Sequence, residues 1–87
     1  MDYNAIIHAL VDSIVEHPES ILVRELSNDS EKDVTLLVVA ESEDTARLIG
    51  RKGTIANALR EMVSVAGKAE GKRIHLKFES FDEEKED

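Results

Sequence analysis

Cysteine and tryptophan are absent from this 87-residue chain, which holds only one proline, one tyrosine and two phenylalanines. Without cysteine, neither a disulfide framework nor a thiolate zinc site can form. The scarcity of aromatic side chains argues against the stacking platforms by which RRM and single-strand-binding domains hold bases. No apolar run approaches the roughly 18 residues of a membrane span, and the acidic N-terminus does not resemble a signal peptide. We therefore expect a soluble, cytoplasmic protein.

Length and composition predict a single domain. A chain of 87 residues with 41% hydrophobic side chains suffices for one small core and is too apolar for a disordered protein. Residues 1–80 are expected to form this domain. Residues 81–87 are mostly acidic, and we expect them to be a disordered tail.

The net charge of −8 is unevenly distributed along the chain. Residues 1–46 hold 2 basic and 11 acidic side chains, residues 47–77 hold 8 basic and 2 acidic, and residues 78–87 hold 1 basic and 6 acidic. The middle segment therefore carries a local charge of +6. Because salt screens charges beyond about 8 Å, this local sign decides what the segment attracts. An anionic partner is expected there, bound with modest affinity because the rest of the chain is acidic.

Apolar spacing predicts an α+β fold with the order α-β-β-α-α-β. The predicted elements are a helix at 3–16, strands at 21–26 and 34–40, helices at 42–49 and 54–69, and a strand at 73–79. Pro18 ends the first helix, with His17 interacting with the carbonyl groups at that end, and Ser42 is the predicted N-cap of the second. A short loop should make the first two strands antiparallel, and a two-helix crossover should make the last two parallel. The prediction is a three-stranded mixed sheet with helices on one face.

The most informative stretch is Gly50-Arg51-Lys52-Gly53, between the second and third helices. Two glycines allow a tight turn with φ > 0, and two cations lie at its tip. The amide groups at the start of the next helix have no internal partners and carry the positive end of its dipole. Such a turn suits a phosphodiester backbone, although G-x-x-G alone also occurs as a capping glycine followed by a cationic surface turn.

The element order with G-x-x-G between the second and third helices resembles the type II KH fold of bacterial RNA-binding proteins. More closely, the chain resembles the small single-KH-domain proteins of the KhpA (YlqC) family. The residues that carry the resemblance are the opening amphipathic helix, His17-Pro18-Glu19, and residues 49–55. The resemblance implies single-stranded RNA binding with little sequence preference, in an RNA chaperone or post-transcriptional regulator linked to cell elongation. It also implies a homodimer, or pairing with a larger multidomain KH protein of the KhpB/Jag type.

The predicted RNA-binding residues cluster at this turn. Its glycines shape the backbone, its two cations position phosphates, and flanking apolar side chains, with Ala58, form a floor for about four unstacked bases. The predicted set is Arg47, Ile49, Gly50, Arg51, Lys52, Gly53, Thr54, Ile55 and Asn57. Arg73 and Lys77, on the outer face of the last strand, are either a solvated surface or a second RNA surface, and the former is more common.

The sequence also bears on two other classes of function, protein association and catalysis or ligand binding. The low aromatic content and the overall acidity favour, as an alternative, a protein-interaction or dimerisation module that acts through an RNA-binding partner. His8, His17 and His75 lack metal-ligand spacing, and no nucleophile-elbow pattern occurs. We therefore expect no catalytic residues, no metal site and no cofactor.

Overall fold

The computed structural model describes residues 2–28 and 30–82, which fold in the predicted order α-β-β-α-α-β. Its helices and strands are α1 (Tyr3–Val11), β1 (Leu22–Leu26), β2 (Asp33–Ala40), α2 (Ser42–Ile49), α3 (Thr54–Ala69) and β3 (Arg73–Ser80). Phe81 and Asp82 are helical. Residues 83–87 of the predicted acidic tail lie outside the described residues.

The sheet has the order β1-β2-β3. β1 runs antiparallel to β2, with Leu22 opposite Val39, and β3 runs parallel to β2, with Asp33 opposite Arg73. β1 and β2 are antiparallel because a short loop joins them, and β2 and β3 are parallel because α2 and α3 form the crossover between them. The predicted three-stranded mixed sheet is therefore confirmed.

The core lies between one face of the sheet and the helices. β2 is buried along its whole length after Asp33, as expected of a central strand. Its helix-facing side chains pack with buried residues of every helix and of β3; the main contributors are Ile7, Val11, Leu36, Val38, Leu48, Leu59, Val63 and Leu76. On β3, Ile74 and Leu76 are buried while Arg73, His75 and Lys77 are exposed, so the predicted alternation is confirmed.

The first helix is shorter than predicted, because α1 ends at Val11 rather than continuing to residue 16. Asp12 and Ser13 have weak helix propensity, and the amides of Ile14 and Val15 both bond the carbonyl of Val11 in a closing turn. Val15 is still buried, so the apolar spacing continues beyond the last residue of the helix.

A buried carboxylate fastens the segment after α1 to α2. Asp44 is 1% exposed, and its two oxygens accept hydrogen bonds from the amides of Glu16 and His17, each at 2.9 Å. The His17 ring also lies beside this carboxylate, with Nδ1 3.4 Å from Oδ2. The predicted role of His17 at helix-end carbonyls is therefore wrong; its ring faces carboxylates.

The start of α2 also differs from the prediction. Its N-cap is Glu41, whose side chain makes no capping bond, and Ser42 is the first helical residue. The Ser42 hydroxyl instead donates to Asp82 Oδ2 at 2.8 Å, a contact across 40 residues that the local sequence could not indicate.

Replacing Asp44 with asparagine should lower the free energy of unfolding at neutral pH by about 1–3 kcal/mol, because a charge-assisted bond to a buried amide is lost. The Glu16 amide is the main cause that lowers the pKa of this carboxyl below its ordinary value of 3.8, and the His17 amide adds to it. A lowered folded-state pKa contributes stability that is present above pH ~4 and lost as pH falls through that pKa. Urea unfolding at pH 7 and pH 3 should show the difference between wild type and Asp44→Asn shrinking in acid.

The exposed Glu43→Gln in the same helical turn is the matched control and should change stability by less than about 0.5 kcal/mol. A wild-type advantage over Asp44→Asn that is equal at both pH values would show that the Asp44 charge does not matter.

α3 packs closely on β3 at Gly67. A Cβ atom at this buried position would lie 2.8 Å from the carbonyl oxygen of Lys72 and 2.9 Å from Ile74 Cγ1. Alanine normally stabilises a helix interior relative to glycine. At position 67 the overlap of the added Cβ with the backbone should make the substitution destabilising instead. We expect Gly67→Ala to lower the free energy of unfolding by about 1–3 kcal/mol, measured by thermal or urea unfolding. Val65→Ala, at an exposed position of the same helix, should be near neutral; a neutral Gly67→Ala would show that the helix shifts freely.

Candidate nucleic-acid interface

The glycine turn is a closed, internally bonded corner between α2 and α3. Gly50 caps α2 through its amide to the carbonyl of Ala46 at 3.0 Å, and residues 51–53 form a tight turn that leads into α3. The amide of Gly53 donates to the carbonyl of Gly50 at 3.2 Å, and the hydroxyl of Thr54 donates to that of Arg51 at 2.9 Å. These bonds hold the tip in one shape before any ligand arrives.

The two glycines have different backbone requirements. Gly50 has φ 74° and ψ 176°, a combination adopted almost only by glycine, and a Cβ there would lie 2.6 Å from Ile55 Cγ1. Gly53 has φ 77° and ψ 14°, and its Cβ position is open. Lys52, between them, is also left-handed at φ 57°. A non-glycine residue with positive φ is uncommon and marks local strain.

Both cations at the tip are exposed, and within residues 2–28 and 30–82 neither Arg51 nor Lys52 forms an ion pair. Arg47, one helical turn earlier, differs because its guanidinium lies 3.2 Å from a Glu16 carboxylate oxygen. The N-cap of α3 is Gly53, which supplies no capping side chain. The turn therefore presents two free cations beside the positive end of a 16-residue helix.

Apolar side chains flank the turn as predicted. Ile49 is 38% exposed at the end of α2. Ile55 is partly buried and packs on the core, and Ala58 is exposed one turn further along α3. These side chains provide a small aliphatic surface beside the cations.

Sequence reasoning missed Arg60 and Phe78. Arg60 Nε donates to the Leu76 carbonyl on β3 at 3.1 Å, and its guanidinium lies 5.7 Å from the centre of the Phe78 ring. Its Nη1 also donates to Asn57 Oδ1 at 3.2 Å, which occupies an oxygen of a predicted site residue. Arg60 lies three residues after Asn57, on the same helical face, so the sequence could have indicated it as a site residue. Its contact with β3 could not be read from local sequence.

A cleft of about 250 Å³ lies between the C-terminal half of α3 and the start of β3. It is lined by Ser64, Lys68, Lys72, Arg73, Ile74 and His75. Asp33 neutralises part of it, since Arg73 forms two 2.9 Å bonds to its carboxylate and His75 Nε2 a third. His75, then Arg73, lowers the pKa of the Asp33 carboxyl below its usual value. Arg73 is thus committed to an ion pair, which favours the solvated-surface interpretation of this strand.

Across residues 2–28 and 30–82, no group of three or more His, Cys, Asp or Glu side chains could hold a metal ion. No helix there is long and apolar enough to span a bilayer.

The chain resembles known proteins over most of its length. Residues 4–78 match the family model described as KhpA/KhpB, KH domain. The protein named RNA-binding protein KhpA of Listeria monocytogenes (strain EGD-e) is 32% identical over 73 residues, covering 84% of this chain and 93% of the relative. The protein of the same name from Oceanobacillus iheyensis is 36% identical over 73 residues, covering 83% and 93%, and that from Bacillus subtilis is 32% identical over 77 residues, covering 88% and 89%. No solved structure matches the chain.

Proposed function

The chain belongs to the KhpA/KhpB family of KH domains, and on this premise we propose that it binds short single-stranded RNA at residues 50–53. The observation that carries the proposal is a pair of exposed cations, Arg51 and Lys52, that form no ion pair with the described residues 2–28 and 30–82, on a turn whose shape requires glycine at position 50. The relatives named RNA-binding protein KhpA support RNA as the ligand.

In the proposed mechanism, the turn positions the RNA backbone. Arg51 and Lys52 neutralise phosphates, and the uncapped start of α3 adds a favourable dipole. The amide of Gly53 is already bonded within the turn, so the side chains supply most of the attraction. Ile49, Ile55 and Thr54 would meet the sugar or base next to each phosphate.

Bases would then lie along α3 towards β3. Asn57 and Arg60 offer polar groups there, and Phe78 lies under the Arg60 guanidinium. Arg47 would add a third cation to Arg51 and Lys52 when an RNA phosphate displaces the Glu16 carboxylate from its guanidinium. With aliphatic side chains in place of stacking aromatics, base selectivity should be low.

A weak, unselective RNA clamp suits an RNA chaperone or post-transcriptional regulator in the bacterial cytoplasm, and this role is part of the proposal. Its link to cell elongation rests on the family resemblance alone. The site binds RNA and performs no chemistry in this scheme.

A second candidate function, protein association, is favoured by an apolar stripe on the outer face of α3. Met62 is 53% exposed and Val65 is 70% exposed, and Ala58 and Ala69 continue the exposed face. Exposed large apolar side chains at helical spacing mark interaction surfaces. We propose that this stripe contacts a second copy of the chain or a larger KhpB-like KH protein.

The salt dependence of RNA binding tests the proposal. Fluorescence anisotropy of a labelled, unstructured oligoribonucleotide should give a log Kd against log salt slope of about 1.4, because two phosphate contacts each release about 0.7 of a counterion. If the isolated chain binds no RNA at low salt, while sedimentation shows that it associates with itself or with a partner, the protein-association candidate replaces the first.

A further inference from the structure

The two ends of α2 present opposite charge. Its C-terminal end leads into the cationic glycine turn, whereas its N-terminal end borders an open cleft of about 720 Å³. The cleft is formed where β1 begins and where β2 and β3 end. Its lining residues include Leu22 and Phe81, which are apolar, and Glu41, Glu43 and Asp82, which are acidic.

Specific contacts hold the walls of this acidic cleft. The 2.8 Å bond from Ser42 to Asp82 fixes the residues after β3 against the first turn of α2. His17, which also lines the cleft, donates its amide to Asp44, and its ring lies 3.8 Å from a Glu41 oxygen. The cleft is therefore built by tertiary contacts rather than left between loose loops.

The acidic and apolar residues that line the cleft favour a ligand that carries a positive charge next to an apolar group. Among the residues that the structure describes, three carboxylates and no lysine or arginine line the cleft, so RNA and other polyanions are repelled. Leu22, which lines the cleft together with Phe81, is 48% exposed, although large apolar side chains are usually covered. The volume is within the range of ligand-binding pockets.

We propose that this cleft binds a basic segment of a protein partner. An aliphatic side chain of that segment packs on Leu22 and Phe81, while flanking lysine or arginine side chains pair with Glu41, Glu43 and Asp82. The interaction lies at the end of α2 remote from the glycine turn and does not depend on the proposed RNA site.

A second copy of the chain is a poorer occupant. Each copy carries a net charge of −8, so two copies repel one another overall. Inserting the Arg51-Lys52 turn of one copy into the cleft of the next would be a head-to-tail contact between different surfaces. Such contacts produce rings or open filaments rather than closed dimers.

The test uses a fluorescein-labelled synthetic peptide that alternates lysine with leucine, titrated with the full chain and followed by anisotropy. Glu41→Lys/Glu43→Lys should weaken binding by about tenfold, since each exposed ion pair contributes up to about 1 kcal/mol. Leu22→Ser keeps every charge and should weaken binding about fivefold through lost apolar contact. Circular dichroism confirms that each variant is folded.

The matched control is Glu31→Lys/Glu70→Lys, which makes the same change in net charge at exposed positions near the opposite end of the sheet. Its affinity for the peptide should stay within about twofold of wild type, because only the weak long-range attraction between the peptide and the net charge of the chain changes. Equal weakening by both double variants would reduce the effect to net charge and overturn the proposal. So would unchanged binding by Leu22→Ser, absence of peptide binding, or self-association that the Glu41→Lys/Glu43→Lys variant abolishes.

Discussion

Arg51→Asp/Lys52→Asp should weaken binding of a short unstructured RNA by about 100-fold at moderate salt, measured by fluorescence anisotropy. The variant removes two phosphate contacts and places two carboxylates where the phosphates would lie. Each of the two lost attractions and each of the two added repulsions is expected to change the binding free energy by somewhat less than 1 kcal/mol at an exposed site, and together they give the 100-fold loss. The fold should survive, because both side chains are exposed and aspartate adopts the left-handed conformation of position 52 more readily than lysine.

The matched control for this prediction is Lys32→Asp/Lys77→Asp. Both lysines are exposed and distant in sequence from the turn, and the change in net charge is identical. This control should weaken RNA binding by no more than about threefold, through long-range repulsion alone. Similar losses in both variants would show that overall charge, and not the glycine turn, governs binding.

Gly50→Ala should destabilise the domain by about 2–5 kcal/mol, whereas Gly53→Ala should cost only about 1 kcal/mol. At position 50, alanine suffers both an unfavourable backbone conformation and a Cβ position 2.6 Å from Ile55 Cγ1 and 2.9 Å from Ile55 Cβ. Overpacking of this kind adds strain close to the main chain of α3. At position 53 only the left-handed conformation is penalised, since no atom lies within 4 Å of the added Cβ.

Urea unfolding followed by circular dichroism distinguishes the two glycines. Gly53→Asn serves as the control, because asparagine tolerates this conformation, and its stability should lie closest to wild type. RNA binding should be lost with Gly50→Ala and largely retained with Gly53→Asn. Equal destabilisation by the two alanine substitutions would contradict the difference in space between the two sites.

The fold was predictable because its strongest signals are local. The almost continuous apolar run 34–40 is typical of a central strand, and the alternation of apolar and charged residues from Arg73 to Glu79 is typical of a strand with one buried face. The connection lengths then determined which strands are parallel. The predicted end of α1 was wrong because apolar spacing continues through Ile14 and Val15, beyond the end of the helix at Val11.

The candidate site was only partly predictable. The turn at residues 50–53 is local in sequence, so its position and exposed cations could be anticipated. Arg60 bonds a carbonyl on β3 and stacks near Phe78, and these partners are distant in the chain. Asp44 lies in the first turn of α2, where an acidic side chain is favourable to the helix dipole, yet it turns inward to bond amides 27 and 28 residues away. Such contacts depend on packing, which local sequence patterns do not specify.

The most direct test of RNA binding at the glycine turn is two-dimensional ¹H–¹⁵N NMR of the labelled chain, titrated with a short unstructured RNA. The largest amide shifts are expected at residues 49–57, with smaller ones at Arg60 and Phe78 and none at Leu22 or Glu41. Shifts centred instead on Arg73, His75 and Lys77 would place the RNA on the outer sheet face and contradict the proposed site.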